Sequence, residues 1–297
     1  MNASTLSPIR SVLAVSRAAE LPPSGRRDHR RALASLGLLV LACVAGPAWA
    51  QTVPLGTAAS FGVLGGSAVT NTGPTIINAN LGISPNGASS VTGFPPGIVL
   101  GTTQFANAVA LQAQNDVTTA YNTLAGRACG TTISGDLGGS TRLPGVFCAA
   151  TSIGLTGTLT LDAQGDPNAV FIFQVGSTLT TASASRILLI NGASSCNVFF
   201  QVGSSATLGT GTAFAGNILA LQSITVTTGS SVSGRLLARN GAVTLDGNSV
   251  SPCGAAVGQP GGGSGATNVP TLSEWMLLLL AAVLVPLGAI AIRRHTV

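Results

Sequence analysis

Short runs of alternating apolar and small polar residues fill most of this chain. Examples are Gly154-Leu-Thr-Gly-Thr-Leu-Thr-Leu161, Ala169-Val-Phe-Ile-Phe-Gln-Val175, Arg186-Ile-Leu-Leu-Ile190 and Asn197-Val-Phe-Phe-Gln-Val202. Asn217-Ile-Leu-Ala-Leu221, Ser223-Ile-Thr-Val-Thr-Thr228, Arg235-Leu-Leu-Ala238 and Ala242-Val-Thr-Leu245 continue the series. Period-two runs bounded by Gly, Asn and Ser read as strands. Between Gln51 and about Thr103 the same signals recur around Gly, Pro and Asn turns. One stretch breaks the pattern. From Thr103 to Leu124 there is no Gly or Pro, and Phe105, Val109, Ala113, Val117, Ala120, Tyr121 and Leu124 recur near a period of 3.6. An amphipathic helix over 103–124 is expected, with Thr103 at its start and Gly126 at its end.

The strands repeat. Val170-Phe-Ile-Phe-Gln-Val-Gly176 returns as Val198-Phe-Phe-Gln-Val-Gly203, with 27 residues from Gln174 to Gln201. Gly216-Asn-Ile-Leu-Ala-Leu221 returns as Gly234-Arg-Leu-Leu-Ala-Arg239, 18 residues later. Such spacings suit the stacked coils of a β-solenoid. A sandwich or barrel also accommodates short, regularly spaced strands.

The two ends differ in character from this body. Arg26, Arg27, Arg30 and Arg31 precede an apolar stretch, Ala32–Ala45, and then Ala48-Trp49-Ala50. That order reads as a signal peptide over 1–50, cleaved before Gln51; the stretch is short for a membrane anchor, the other reading. The paired arginines also admit a twin-arginine export route. Residues 255–268 form a Gly-rich linker containing Gly261-Gly-Gly-Ser-Gly265. Over 269–297, Val269-Pro-Thr-Leu-Ser-Glu-Trp275 leads into an apolar run from Met276 to Ile292, closed by Arg293 and Arg294. The run is near the lower limit for a transmembrane helix, and its arginines suit an inside-positive end.

Charge narrows the function. The formal net charge of +5 resides in the ends. Across the body, Arg127, Arg142, Arg186, Arg235 and Arg239 balance Asp116, Asp136, Asp162, Asp166 and Asp246, and there is no lysine. Nucleic-acid binding needs clustered positive charge, so no nucleic-acid partner is expected. The only histidines, His29 and His295, lie in the ends, leaving the body no imidazole for a triad or metal site. Asp166-Pro167-Asn168 reads as a turn, and Asp162 and Asp166 lack a glycosidase spacing. No enzyme activity, cofactor or metal is expected. A polysaccharide-active solenoid enzyme would need Asp and Arg clustered in a groove. Cys129, Cys148, Cys196 and Cys253 are an even number in an exported body, so disulfides are expected. Three pairings are open; Cys129–Cys148 and Cys196–Cys253 are favoured because each brackets one continuous segment.

What the body does hold is threonine on polar strand positions. With Leu155, Leu159 and Leu161 inward, Thr156, Thr158 and Thr160 point out; Ile224 and Val226 likewise expose Ser223, Thr225 and Thr227. Thr244, Thr178, Thr180 and Thr207 read the same way. Stacked strands set such residues about 4.8 Å apart across rungs and about 6.7 Å apart along one, near the ice repeats of about 4.5 Å and about 7 Å. A threonine methyl orders water and its hydroxyl anchors it. Plain β-propensity also places Thr on exposed strands.

The body resembles the microbial ice-binding (antifreeze) family of the DUF3494 type. The stretches that carry the likeness are Leu55-Gly-Thr-Ala-Ala-Ser-Phe-Gly-Val-Leu64, Asn80-Leu-Gly-Ile-Ser-Pro85 and Ala169-Val-Phe-Ile-Phe-Gln-Val-Gly176. Ala213-Phe-Ala-Gly-Asn-Ile-Leu-Ala-Leu221 and Gly234-Arg-Leu-Leu-Ala-Arg-Asn-Gly-Ala-Val-Thr-Leu245 extend it over most of residues 54–253. The resemblance implies a mainly β fold for residues 51–254: a discontinuous right-handed β-solenoid of triangular section with one long α-helix alongside. It implies an ice crystal surface as partner, met by a flat Thr/Ser-rich face. Thr210-Gly-Thr-Ala213 and Thr225-Val-Thr-Thr228 approximate a Thr-rich pattern that some members carry, and Arg235, Arg239 or Asp246 on the same face would weaken the contact. The alternative is a non-ice surface scaffold or adhesin of the same fold. The tail resembles an IPTL-type sorting signal, with Val269 where Ile is usual. That implies sorting and processing machinery as partners, membrane contact through the C-terminal helix, and display at the cell surface or outside it.

Overall fold

The computed structural model describes residues 53–253. The expected signal peptide, linker, sorting signal and membrane helix lie outside the described residues. Among the described residues no helix is long and apolar enough to cross a membrane.

Among the described residues every strand pairing is parallel, and each coil contributes three strands. The coil that starts at Val198 shows the plan: Val198–Val202, then Ala206–Leu208, then Ala213 onward. Three faces result. One is an eight-stranded sheet; the other two share a fifteen-stranded sheet whose long strands, Ala213–Ala220 and Ser231–Ala238, pass from one face to the next. Gly216 and Gly234 sit at that passage, with φ of +139° and +154°. They are stacked in register, and a Cβ on Gly234 would stand 1.8 Å from the Gly216 carbonyl oxygen. Only glycine allows both the conformation and the approach. The 18-residue repeat in the sequence is thus one rung. The 27-residue repeat is another, since Gln174 pairs with Gln201.

The stacking order departs from chain order. The last coil pairs with the first: Val243 to Val69, and Leu236 to Val63. Residues 91–105 then close that end, and residues 131–142 close the other. This is the discontinuity that the family resemblance implied.

The core runs down the axis. Phe147, Phe173 and Phe200 stack rung on rung with centroids 5.0 and 4.6 Å apart, and Phe214 of the same coil as Phe200 meets it tilted, at 5.0 Å. Inward aliphatics from all three faces surround them. A second cluster lies outside the coil, where the helix α1 (Ala108–Ala125) covers one face. Ala113, Val117, Ala120, Tyr121 and Leu124 pack there on Leu64, Ile172, Phe199, Leu219 and Leu237. Strands under α1 are buried on both sides, which is why Phe171–Val175 and Val198–Val202 read as nearly continuous apolar runs. Gln114 fastens the helix by donating to the Gly65 and Ala238 carbonyls at 2.9 and 3.1 Å. Gln174 donates to the carbonyls of Leu124 and Arg127 at its C-terminal end.

Two expectations need correction. The helix starts at Ala108 rather than Thr103, because residues 103–105 join the sheet beside Leu81–Ile83 and Ala106 has φ +47°. Asn107 is the N-cap: its Oδ1 accepts from the Ala110 N–H at 2.9 Å. Phe105 therefore packs on the axial core, and Val109 is exposed. Second, the run 154–161 is not one strand. Gly157, with φ +76°, turns a corner between Ile153–Leu155 and Thr158–Asp162, which lie on different faces.

Candidate functional site

The eight-stranded sheet carries no helix, and its outward positions form a regular column. Thr180 pairs with Thr207, Thr207 with Thr225, Thr225 with Thr244, Thr244 with Thr70, and Thr70 with Thr92. Six threonines on six successive strands span roughly 24 Å at the strand spacing of about 4.8 Å. The inward neighbours explain why they point out. Leu179, Leu208, Ile224, Val226, Val243, Leu245 and Val69 are buried on either side of them. Stiff β-branched side chains at χ1 hold the column in one register.

Two columns of mixed residues flank it. On one side lie Ser152, Thr178, Ser205, Ser223, Ala242 and Ala68, aligned by the backbone bonds from Ile153, Leu179, Ala206, Ile224 and Val243. Some of these hydroxyls are engaged. The Thr178 hydroxyl donates to Ser152 Oγ at 2.7 Å, Ser205 Oγ accepts from the Ser223 N–H, and Ser223 Oγ accepts from the Ala242 N–H. On the other side lie Thr156, Ala182, Gly209, Thr227, Asp246 and Thr72. There Thr227 donates to the Leu208 carbonyl at 2.8 Å, and Thr72 donates to Asp246 at 3.0 Å. Thr228 also donates to Asp246.

The central column differs in what it leaves unspent. Thr70 donates to Thr244 at 3.2 Å. The hydroxyls of Thr92, Thr180, Thr207 and Thr225 have no hydrogen-bond partner among the described residues. Each of these four offers a methyl and a whole hydroxyl to whatever covers the face.

Of the residues singled out from sequence, the structure brings eight together. Thr180, Thr207, Thr225 and Thr244 form the column; Thr178 and Ser223 flank it on one side, Thr156 and Thr227 on the other. Thr158 and Thr160 stand elsewhere, on the strand paired with Arg186–Ile190. Thr70, Thr72 and Thr92 were missed. Their alternation, Val69-Thr-Asn-Thr72 and Val91-Thr92, has the same form as Val243-Thr-Leu-Asp246, but 174 residues separate Thr70 from Thr244.

Charge sits mostly off the column. The Arg239 guanidinium lies over the Tyr121 ring at 4.7 Å, on the helix side. Arg235 is buried and bound to Asn217, Ala59 and Cys253. Asp246 does lie on the threonine face, at its flank, tied down by Thr72 and Thr228. Asp136 ends the column, paired with Gly154. The Thr156 side chain, then the Gly138 N–H at 2.7 Å and the Thr156 N–H, hold its carboxyl below the usual range.

The expected disulfides are both formed: Cys129–Cys148 with Cα atoms 5.8 Å apart, and Cys196–Cys253 at 4.9 Å.

A family profile described as ice-binding-like matches residues 63–251. An ice-binding protein of Nostoc sp. (strain HG1) is 61% identical over 171 residues, covering 57% of this chain and 62% of that protein. Ice-binding protein 1 of Shewanella frigidimarina is 36% identical over 57% of this chain and 22% of its own length. The chain thus spans less than two thirds of either relative. Among solved structures, an ice-binding protein from an Antarctic biological consortium superimposes with TM-score 0.68 at 46% identity, covering 70% of this chain and 94% of that one. One from the ascomycete Antarctomyces psychrotrophicus gives 0.66 at 41% identity, covering 68% and 98%.

Proposed function

The chain belongs to the ice-binding-like family, and on that premise we propose that it adsorbs to ice through the column Thr180, Thr207, Thr225, Thr244, Thr70 and Thr92. One observation carries the reading: the column repeats without a charged residue over six rungs, and four of its hydroxyls are uncommitted. Water over such a column meets methyls that favour an ordered cage and hydroxyls that fix it to the protein. Each contact is weak. Their sum is useful because the solenoid orders the side chains beforehand, so little freedom is lost on binding. The flanking Thr178 and Ser223, and Thr156 and Thr227, widen the face at about 6.7 Å along each strand.

The reading includes export by the segment 1–50 and display at the cell surface, with 269–297 as an IPTL-type sorting signal engaging the membrane and its processing machinery. It takes the coil as right-handed and triangular in section, the sense that parallel crossovers favour. Adsorption at a growing ice front would curb growth and recrystallisation, or hold a cell to ice.

The test is direct. Purified protein is added to a single ice crystal in a nanolitre stage and to a polycrystalline sucrose film. Faceted crystals and arrested coarsening are expected. Round crystals with unchanged coarsening at high protein concentration would leave only a surface scaffold or adhesin of the same fold.

A further inference from the structure

Arg235 is a cation buried in the body, and it faces no anion. It is 8% exposed. Its Nε donates to the Ala59 carbonyl at 2.8 Å, and its Nη1 to Asn217 Oδ1 at 3.0 Å and to Cys253 Sγ at 2.9 Å. No carboxylate hydrogen-bonds to it among the described residues. Burial alone opposes its charge. A guanidinium taken out of water this way is costly unless something negative compensates it.

Asn217 links that cation to the other half of the disulfide. While its Oδ1 accepts from Arg235, its Nδ2 faces the carbonyls of Ser195, Cys196 and Val198 at 3.1–3.3 Å. Ser194 Oγ accepts from the Cys196 N–H. One amide thus holds the Cys196 turn beside the arginine that holds Cys253. The groups hydrogen-bonded within this knot are neutral apart from Arg235; Asp166 stands one residue from Pro167, whose carbonyl accepts from Asn197 beside Cys196. Both cysteines are half-buried, so small reagents reach them.

We propose that Cys196–Cys253 is an exchange-active disulfide in which Cys253 is the thiolate-bearing member, held by Arg235. In the oxidised protein the sulfur is neutral and Arg235 lacks its anion; in the reduced protein the Cys253 thiolate supplies it. A thiolate beside a guanidinium forms below the ordinary thiol pKa of about 8.5. On closure, that thiolate attacks one sulfur of a low-molecular-weight disulfide, such as oxidised glutathione, and displaces one thiolate. Cys196 then loses its proton to water and attacks the Cys253 sulfur, expelling the second thiolate. The protein gives up two electrons, and the small disulfide becomes two thiols. On opening, a small thiolate attacks Cys196 and Cys253 leaves, which is fast because a low-pKa thiol is the better leaving group. The bond spans 57 residues and anchors the end of the coil at Cys253. Its opening frees Cys253 from the Cys196 turn while Ser249–Ser251 stays paired in the sheet.

The experiment uses the full chain carrying Cys196→Ser, which frees Cys253. Iodoacetamide labelling of the Cys253 peptide is followed by mass spectrometry against pH, with and without Arg235→Met. Cys253 is expected to titrate at least about one unit below 8.5 with Arg235 present, and to return upward without it. At pH 6.5 the thiolate fraction falls about tenfold per unit, and higher intrinsic nucleophilicity restores about threefold, so labelling slows about threefold. Arg235→Lys keeps the low value. Identical profiles with Arg and Met, or a Cys253 that titrates at or above 8.5 in the parent, would overturn the proposal. Should Arg235→Met not fold, Asn217→Asp places a carboxylate on the same guanidinium. Cys253 must then titrate higher, and an unchanged value overturns the proposal equally.

Discussion

The threonine face and the face beyond Gly157 are built from the same coils, at the same strand spacing and in the same parallel register. They carry different chemistry. On the threonine face one residue type repeats across six rungs. On the other, the outward column runs Thr158, Arg186, Ala213, Ser231, Ser249, Ile76 and Ile98. Its neighbour runs Thr141, Thr160 and Leu188. Ile76 and Ile98 are exposed, as is Leu100 beyond them. The solenoid therefore demands only that inward positions be apolar and corners be turnable. Repetition on the outside is not needed for folding, and where it occurs it calls for another explanation. Ice, a periodic ligand, is one.

The sharpest way to break this comparison is to place the same bulky residue on each face. Thr225→Tyr, in the middle of the column, should cut recrystallisation inhibition by roughly tenfold, as loss of a central contact does at other interfaces. Thr160→Tyr, chosen from the sequence as readily as Thr225, should leave it within about twofold, since peripheral positions contribute little. Equal loss from both, with circular dichroism unchanged, would mean that the threonine column is not the contact surface.

A second comparison separates inside from outside. Leu208 is fully buried between Thr207 and the next corner; Leu188 points outward and is half-buried. Leu208→Ala should cost about 2–5 kcal/mol in urea melts, the range for a core leucine that leaves a cavity. Leu188→Ala should stay within about 1 kcal/mol. A large loss at Leu188 would show that the second face packs against something, and would end the contrast drawn between the two.

These pairs also show what the sequence made legible. The rung repeats and the helix with its Gly126 end were readable because each rests on local spacing; of the three cysteine pairings left open, the favoured one is formed, although Cys196 and Cys253 lie 57 residues apart. Thr158 and Thr160 were grouped with Thr156 because period two persists through Gly157; the face changes there, and alternation alone does not register a corner. Thr70 and Thr92 were overlooked for the opposite reason. Their local pattern is right, but their place in the column depends on the first coil pairing with the last, a long-range choice that no local signal encodes. Residues 103–105 show tertiary structure overriding propensity: a helical period continued through them, yet the open strand edge at Leu81–Ile83 took them instead.

The smallest expected effect distinguishes the threonine face from the helix side by acid. Asp136 closes the threonine column, where the Thr156 side chain and backbone N–H groups hold its carboxyl below the ordinary value of 3.8. Asp116 lies on α1. Desolvation pushes its carboxyl up, but the Thr57 N–H at 2.6 Å and Gln112 at 2.8 Å outweigh that and hold it below 3.8 as well. A carboxylate whose folded pKa is depressed adds stability that is complete above its unfolded value and vanishes as pH falls through the folded one. Both contributions are thus present at neutral pH and decline below about pH 4. Asp136 is exposed and Asp116 half-buried, so solvent screens both and the effects are small. Asp136→Asn and Asp116→Asn should each flatten the fall in melting temperature between pH 4 and pH 2, with the neutral-pH value lowered slightly. Ice activity followed from pH 4 down to pH 2 should track Asp136 rather than Asp116, because of these two acids only Asp136, with its partner Thr156, borders the column; the reverse result would place the active surface on the helix side.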